Sequence, residues 1–316
     1  MSGQLPQRVA VVGPTAAGKS SVAMAAAERL GDVELVSVDS MQVYRHMDIG
    51  TAKPSRAEQT RVPHHLIDLV DPSEEFTVAQ FQRAYAEVSV DLARRHRRAL
   101  LVGGTGLYHR SVIDDLDIPG EWPDVRRRLE REAAESGAAA LHERLRRVDP
   151  TAADKIETSN VRRIVRALEV CEGSGRRFSS FGPGLAAYPP NAVAQIGLRW
   201  DRAVLASRIE ARVHRMIGDG LVDEVRTIRA ATGFSRTAAQ ALGYKEILAH
   251  LDGETSLDEA TQLIVVRTRQ FAVRQERWFR RDPRVIWIDV DDDPLAAALP
   301  TVLDALTTVH LRSDLR

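Results

Sequence analysis

The stretch Arg8–Ser20, RVAVVGPTAAGKS, constrains the fold of this chain more than any other. Its apolar run Val9–Val12 predicts a short buried strand, and a helix is expected directly after the glycine-containing turn. That turn fills all four fixed positions of the P-loop pattern G-x-x-x-x-G-K-[ST], with Gly13, Gly18, Lys19 and Ser20. In a P-loop the backbone N–H groups and the helix N-terminus face phosphate oxygens. We therefore expect a phosphate or a diphosphate to bind here.

The two side chains that end the loop suggest different tasks. Lys19 would reach the more distal phosphate, and the Ser20 hydroxyl would suit a Mg²⁺ ion. Glycine-rich turns also simply join strands to helices, but here the strand, the helix and every fixed position agree. The loop does not identify the rest of the ligand.

Length, charge and cysteine content narrow the class of protein. A chain of 316 residues can bury the core of one large domain or two. Lys+Arg equals Asp+Glu at 44 each, so a nucleic acid would have to be held by local patches. Cys171 is the only cysteine, which excludes an internal disulfide. The chain shows neither a signal-peptide pattern nor an apolar run that would cross a bilayer, so we expect a cytoplasmic protein without membrane contact.

Polar side chains follow the second predicted strand, Glu34–Asp39 (ELVSVD), at the point where it ends. Because ligand groups collect at the carboxyl ends of parallel strands, Asp39 should lie beside the P-loop. There its carboxylate could hold magnesium, accept a proton, or only cap the next turn. Ser40, Met41 and Gln42 follow it.

A third strand, Ala99–Val102, runs into the glycine-rich segment Gly103–Tyr108, GGTGLY. Alone this turn would be weak evidence for a site. As the third polar strand end at the same edge, it is expected to line the same cleft, with the Thr105 hydroxyl available to a substrate.

From about Pro119 the sequence becomes helical and highly charged, and a Gly/Pro-rich tract closes this part near Pro190. We predict an α/β fold: a P-loop-containing parallel sheet flanked by helices, formed by 1–118 and 196–316, with an all-helical insertion at 119–195. The insertion carries arginines that suit either a solvated surface or an RNA backbone, namely Arg126, Arg127, Arg128, Arg162, Arg163 and Arg166.

After the insertion, Ala194–Trp200 predicts a strand that rejoins the sheet. The helix that follows carries Arg208 and Arg212 four residues apart on one face. The segment Gln240–Glu246, QALGYKE, predicts a turn and a helix start with an exposed aromatic residue and a lysine.

A long helix is predicted over Leu257–Arg281, with an apolar stripe at seven-residue spacing: Ile264, Phe271 and Trp278. Arginines repeat with the same period on another face, at 267, 274 and 281, and Arg277 joins them. Such a stripe is usually a solvated face, but one with few opposing acids also suits a phosphate backbone.

Taken together, these motifs resemble the bacterial tRNA dimethylallyltransferases, or isopentenyltransferases. The resemblance covers residues 8 to 289 and rests on GPTAAGKS, VDSMQVY, DIGTAKP, PHHLIDLVDP, GGTGLY, NVRRIVRALEV, QALGYKE and RTRQFAVRQERWFRRDP, in that order. It implies transfer of a dimethylallyl group from dimethylallyl diphosphate to N6 of the adenine 3′ of the anticodon, position 37 of tRNA. Diphosphate would leave.

The resemblance also implies roles for individual residues. Asp39 would take the N6 proton, Thr105 would hydrogen-bond the adenine, and Lys19 would act on the diphosphate. The implied diphosphate site, with Mg²⁺ on Ser20, comprises Gly13, Pro14, Thr15, Ala16, Ala17, Gly18, Lys19, Ser20, Arg208 and Arg212. The implied contacts with the tRNA anticodon stem-loop are Asp39, Ser40, Met41, Gln42, Thr105, Arg126, Arg127, Asn160, Arg162, Arg163, Arg166, Gly243, Tyr244 and Lys245. A monomer is expected.

Two other classes of protein remain open at this point. A P-loop kinase of a small metabolite would use the same lysine, magnesium and Asp39, and would consume ATP. A non-catalytic RNA-binding protein gated by a nucleotide would explain the arginine faces. It would not explain why three polar strand ends converge on one cleft.

Overall fold

The computed structural model describes residues 8–182 and 184–313, with side chains to residue 308. The parts of the predicted core at 1–7 and 314–316 lie outside the described residues. The chain separates into two compact units, one of Met1–Asp114 with Pro190–Arg316 and one of Asp115–Pro189. The predicted boundary at 195 lies inside a strand of the first unit, because the sheet resumes at Val193, directly after the Gly/Pro-rich tract.

The first unit is built on one parallel sheet. Its strands are β1 Arg8–Val12, β2 Val33–Val38, β3 His64–His65, β4 Arg98–Gly103, β5 Val193–Trp200 and β6 Val285–Val290. They lie in the order β3-β2-β4-β1-β5-β6, and every neighbouring pair is parallel. The predicted α/β fold with a parallel sheet is confirmed.

Helices cover this sheet and bury it. In the first unit they are α1 Lys19–Leu30, α2 Arg56–Arg61, α3 Val78–Arg94, α4 Gly106–Ile113, α8 Arg202–Gly218, α9 Leu221–Ala231, α10 Tyr244–Leu251, α11 Leu257–Arg280 and α12 Pro294–Ser313. All six residues of β2 are buried, as expected of a parallel strand covered on both faces. Among the described helices, none is both long and apolar enough to cross a membrane.

The strand register fixes where the functional turns begin. Gly103, the last residue of β4, is opposite Val12 of β1 and also opposite Val38 of β2. The three chain segments that follow these residues therefore leave the sheet at one level. They are the P-loop, the segment that starts at Asp39, and the turn that contains Thr105.

The second unit is all helical, with α5 Pro123–Val148, α6 Pro150–Lys155 and α7 Val161–Ser174. It has a hydrophobic core of its own, in which Leu129, Leu145, Ile164 and Leu168 are fully buried. Gly137 has non-helical angles (φ 81°, ψ 165°) and interrupts α5 near its middle. The short α6 was not predicted.

Candidate active site

A cavity of about 480 Å³ opens at the carboxyl ends of β1, β2 and β4. This volume is in the range of sites for small molecules and cofactors. Its wall brings together polar side chains from all three strand ends and from α8: Thr15, Lys19, Ser20, Asp39, Thr105 and Arg212. The sequence placed these residues in one cleft, and the structure does the same.

The P-loop has the backbone shape that its glycines allow. Gly13 has φ 137°, and a Cβ there would lie 2.9 Å from the Leu198 carbonyl oxygen of β5. Gly18 has φ 89° and precedes the first turn of α1. Because the first N–H groups of a helix have no partner within it, α1 presents donors at the loop.

Two side chains from outside the loop hold its carbonyl groups. The Arg208 guanidinium donates from Nε to the Ala16 carbonyl at 3.1 Å. The Trp200 indole donates to the Ala17 carbonyl at 3.0 Å, and the Arg208 guanidinium lies 4.1 Å from the centre of its ring. Arg208 therefore supports the loop from behind. Arg212, one turn further along α8, lines the cavity, so we expect Arg212 to be the arginine that meets a diphosphate.

Lys19 and Arg212 form a desolvated pair of cations beside one carboxylate. Burial lowers the pKa of the Lys19 ammonium to about 7; Arg212 acts in the same direction and Asp39 opposes it. Lys19 as a residue is half-buried, so the desolvation concerns its ammonium, which donates to the Pro14 carbonyl at 2.7 Å. Burial also lowers the pKa of Arg212. An anion placed between these groups would restore the charge of Lys19.

Asp39 and Thr105 face the same cavity from neighbouring strands. Asp39 accepts a hydrogen bond at Oδ1 from the Met41 N–H at 2.8 Å, so the capping role is real but uses one oxygen. Within the described residues, Asp39 Oδ2 has no hydrogen-bond partner. Thr105 accepts at Oγ1 from the Ser40 N–H at 3.2 Å. The carboxylate and the hydroxyl are thus both held by backbone N–H groups of the segment after β2 and remain beside the cavity.

Gln42 also lines the cavity, but its side-chain amide is hydrogen-bonded to other residues of the cavity wall. Its oxygen accepts from the Ser37 hydroxyl at 2.7 Å, and its nitrogen donates to the carbonyls of Thr51 and Ala52, each at 3.2 Å. Gln42 therefore fixes the loop that forms one side of the cavity. Ser40 and Met41 line the same space.

Gln275 of α11 was not singled out from the sequence, yet it joins the two sides of the site. Its oxygen accepts from the Thr15 N–H of the P-loop at 2.8 Å. Its nitrogen donates to the Gly104 carbonyl at 2.9 Å, next to Thr105. A signal was present, because Gln275 is a polar residue three positions before Trp278 on the apolar stripe of the helix. A buried amide on such a stripe needs a specific partner.

The prediction that Tyr244 is an exposed aromatic residue is wrong. Its side chain is fully buried, and its hydroxyl donates to Glu224 of α9 at 2.5 Å. The same carboxylate accepts the N–H groups of Asp48, Ile49 and Gly50 at 3.0, 2.7 and 3.3 Å. Through Glu224, Tyr244 therefore helps to fix the loop Asp48–Gly50 of the cavity wall. Its buried side chain cannot contact an RNA.

The neighbours of Tyr244 are placed differently. Gly243 lines the cavity, with φ 91°. Lys245 is exposed and donates to the Gln240 side chain at 3.1 Å.

Within the helical unit, two of the predicted RNA-binding arginines have structural partners instead. Glu169 is fully buried, with Arg126 Nε at 2.9 Å and Arg166 Nη1 at 3.0 Å from its oxygens. Arg166 also donates to the carbonyls of Pro119 and Gly120. Because a buried carboxylate needs its cations, these two arginines are engaged inside the unit.

The remaining candidates of this unit lie at its surface. Arg162 and Arg163 are exposed at the start of α7, so Arg162 does not share the environment of Arg166. Arg127 is exposed and paired with Asp124. Asn160 accepts the Arg163 N–H at 3.2 Å and caps α7.

A profile of the protein family described as IPP transferase matches residues 42–282. The chain belongs to this family. The tRNA dimethylallyltransferase of Pseudarthrobacter chlorophenolicus is 48% identical over 295 residues, which are 92% of this chain and 96% of the relative. That of Geobacter metallireducens is 50% identical over 285 residues, 89% of this chain and 92% of the relative.

A solved structure agrees with this membership. The full-length tRNA isopentenylpyrophosphate transferase of Bacillus halodurans has a TM-score of 0.68 at 38% identity, over 97% of this chain and 98% of its own. A eukaryotic dimethylallyltransferase acting on tRNA has a TM-score of 0.74 at 24% identity, over 90% of this chain and 74% of its own, and shows the fold alone.

The lowered pKa of Lys19 predicts how anion binding by this family member depends on pH. A bound diphosphate raises that pKa, so binding above pH 7 must take up a proton. We expect the affinity for magnesium diphosphate to weaken by up to about tenfold per pH unit from pH 7 to 9. Isothermal titration calorimetry in buffers of different ionisation enthalpy measures both the affinity and the proton uptake.

Lys19→Arg is the matched control, because arginine stays charged throughout this range. The ionisation of diphosphate itself contributes equally to both proteins. Parallel affinity curves for the two, with equal proton uptake, would contradict the lowered pKa of Lys19.

Proposed function

We propose that this chain transfers the dimethylallyl group of dimethylallyl diphosphate to N6 of the adenine immediately 3′ of the anticodon in tRNA. The relatives named tRNA dimethylallyltransferase support this, since the chain covers nearly their whole length. The observation that carries the proposal is the cavity itself. The P-loop and two cations line it together with a carboxylate and a hydroxyl, a set that suits one anionic leaving group and one nucleophile that must lose a proton.

The reaction balances with these groups. A bond forms between N6 and the allylic C1 carbon, and the bond from C1 to the diphosphate oxygen breaks with its electron pair leaving on that oxygen. The N6 proton passes to Asp39. Adenine N6 is a weak nucleophile because its lone pair is delocalised into the ring. Alignment with C1 and stabilisation of the departing charge should therefore provide most of the acceleration.

Different parts of the cavity wall suit the diphosphate and the prenyl group of the donor. Lys19 and Arg212 are placed for the diphosphate, on which negative charge grows as the C1–O bond breaks. Apolar side chains, including Met24, Ile264 and Phe271, line other parts of the cavity and suit the prenyl group. The adenine must be unstacked to enter, which costs a few kcal/mol and is cheapest in a loop.

Magnesium fits this site, although it would not be held by protein ligands alone. Among the described residues there is no group of three or more His, Cys, Asp or Glu side chains suited to a metal. Mg²⁺ usually takes one or two protein oxygens, substrate phosphates and water. The Ser20 hydroxyl, in the cavity wall, supplies such an oxygen. Bound there with the donor, the ion would neutralise part of the diphosphate charge.

We also propose that the helical unit holds the anticodon stem, through Arg162, Arg163 and Arg127. Of the arginines that the resemblance implies as tRNA contacts, these are the three that the buried Glu169 does not engage. A tRNA substrate would place the protein in the cytoplasm, and we expect it to act as a monomer.

Incubation with unmodified tRNA, dimethylallyl diphosphate and Mg²⁺ tests the function directly. We expect N6-dimethylallyladenosine in the nucleosides after digestion, detected by mass spectrometry, with diphosphate released in equal amount. The kinase alternative predicts ADP from ATP instead. ADP formation without prenylated nucleoside would overturn the proposal.

Asp39→Asn separates a proton acceptor from a magnesium ligand. The variant keeps shape and the hydrogen bond from Met41 but loses the charge. If Asp39 is the base, single-turnover transfer should fall by roughly 10²–10⁴-fold while donor and tRNA affinities stay nearly unchanged. Rapid-quench kinetics with separate binding titrations measure both.

If Asp39 instead binds magnesium, Asp39→Asn would impair a different step. Donor affinity would then fall, and excess Mg²⁺ would partly restore activity. That result would show that Asp39 is not the base.

A further inference from the structure

One carboxylate from α9 holds the loop 48–53, of which residues 50–53 line the cavity. The Glu224 side chain accepts three successive backbone N–H groups, those of residues 48, 49 and 50, at 3.0, 2.7 and 3.3 Å. It also accepts the Tyr244 hydroxyl at 2.5 Å. Successive N–H groups that point to one side form an anion-binding concavity in the backbone. Here a carboxylate of the same chain occupies it.

An acidic side chain in the first turn of a helix also stabilises the helix dipole, and Glu224 lies in the first turn of α9. That effect does not explain its contacts. Asp223, in the same turn, is exposed and paired with Arg226 of its own helix. The Glu224 carboxylate instead reaches a loop that is distant in the sequence. The two acids of this turn therefore have different roles.

The groups around Glu224 belong to the packed interior of the first unit. Tyr244 is fully buried, and the loop packs so closely on its ring that a Cβ at Gly50 would lie 2.4 Å from a ring carbon. Glu246, also buried, accepts the Gly243 N–H at 2.8 Å and the Arg267 guanidinium at 2.5 Å. The start of α10 is thereby fastened to α11, and the loop rests on a rigid support.

A second set of hydrogen bonds joins the same loop to the segment that carries Asp39. The Gln42 amide donates to the carbonyls of Thr51 and Ala52, each at 3.2 Å. Gln42 lies three residues after Asp39, and between them the Met41 N–H donates to Asp39 Oδ1 at 2.8 Å. These contacts form an unbroken path from the carboxylate on α9 to the carboxylate at the end of β2.

Lys53 makes the loop itself stiff. Its side chain is 2% exposed, and its ammonium lies 2.6 Å from the Asp48 carboxylate and 2.7 Å from that of Asp68. Because the two ends of the loop are tied together, a displacement of residues 48–50 would also displace residues 51 and 52, which Gln42 holds.

We propose that Glu224 is a positioning residue for Asp39. It holds the loop 48–53 in place, and through Gln42 the loop fixes the segment from which the Asp39 carboxylate faces the cavity. This rests on the proposed function, in which Asp39 takes a proton from the acceptor. Glu224 itself touches neither substrate, so its effect should appear only through the group that it positions.

Glu224→Gln tests this role, and Asp223→Asn is the matched control, since each removes one negative charge from the first turn of α9. We expect single-turnover prenyl transfer by Glu224→Gln to fall by about 10- to 100-fold, because a small displacement of a reacting group lowers the rate by a large factor. Affinity for magnesium diphosphate should stay unchanged, because Arg208 and Gln275 support the P-loop independently. Asp223→Asn should match the wild type in both measurements.

A double-mutant cycle with Asp39→Asn separates this role from a general structural effect. If Glu224 acts through Asp39, adding Glu224→Gln to Asp39→Asn should lower the remaining rate by less than about twofold. Equal factors of loss in the two backgrounds, or wild-type transfer by Glu224→Gln alone, would overturn the inference. Tyr244→Phe, which removes only the hydroxyl that donates to Glu224, should give the same pattern with a smaller loss, and it replaces Glu224→Gln if that variant does not fold.

Amide hydrogen exchange, followed by NMR, gives a readout that needs no turnover. In Glu224→Gln the N–H groups of residues 48–50 should exchange faster, and so should the Met41 N–H that donates to Asp39. Faster exchange at residues 48–50 with an unchanged rate at Met41 would show that the path ends at the loop, which would overturn the inference.

Prenyl transfer by the wild-type protein keeps the two proposals apart. Without transfer, the proposed function fails, and the exchange rate at Met41 decides whether Glu224 fixes the segment that carries Asp39. With transfer, and with equal factors of loss in both backgrounds, only the role of Glu224 is removed.

Discussion

The site depends on one constraint, the register that ends three parallel strands at the same level. Gly103 is opposite both Val12 and Val38, so the P-loop, Asp39 and Thr105 start side by side. Parallel pairing places the groups that we propose for donor and acceptor at one edge without any long loop. A slip of one residue in β4 would turn its side chains to the other face of the sheet and separate these groups.

Tertiary contacts then convert this proximity into fixed geometry. Gln275 hydrogen-bonds both the P-loop and the turn before Thr105, so the two sides of the cavity cannot move apart independently. Arg208 and Trp200 hold the loop carbonyls from behind. A site that aligns two substrates needs such support, because a small displacement of the reacting atoms lowers the reaction rate by a large factor.

The sequence predicted what local pattern and motif spacing determine. The P-loop, the strands around it and the position of Asp39 followed from motif spacing, from short apolar runs and from the rule for parallel sheets. Contacts between distant residues were not predictable. Tyr244 was expected at the surface, yet its partner is Glu224, on another helix. Arg166 was expected to face an RNA, because nothing in the sequence shows that Glu169 is buried.

The central claim is that alignment of donor and acceptor across this cavity drives the reaction, and Gln275→Ala tests it most directly. The account predicts that single-turnover prenyl transfer falls by about 10²-fold, while the affinities for dimethylallyl diphosphate and tRNA change little. Thermal unfolding is recorded alongside, and Gln262→Ala, an exposed change on the same helix, should have no effect. A Gln275→Ala variant that stays folded and transfers at the wild-type rate would contradict the account.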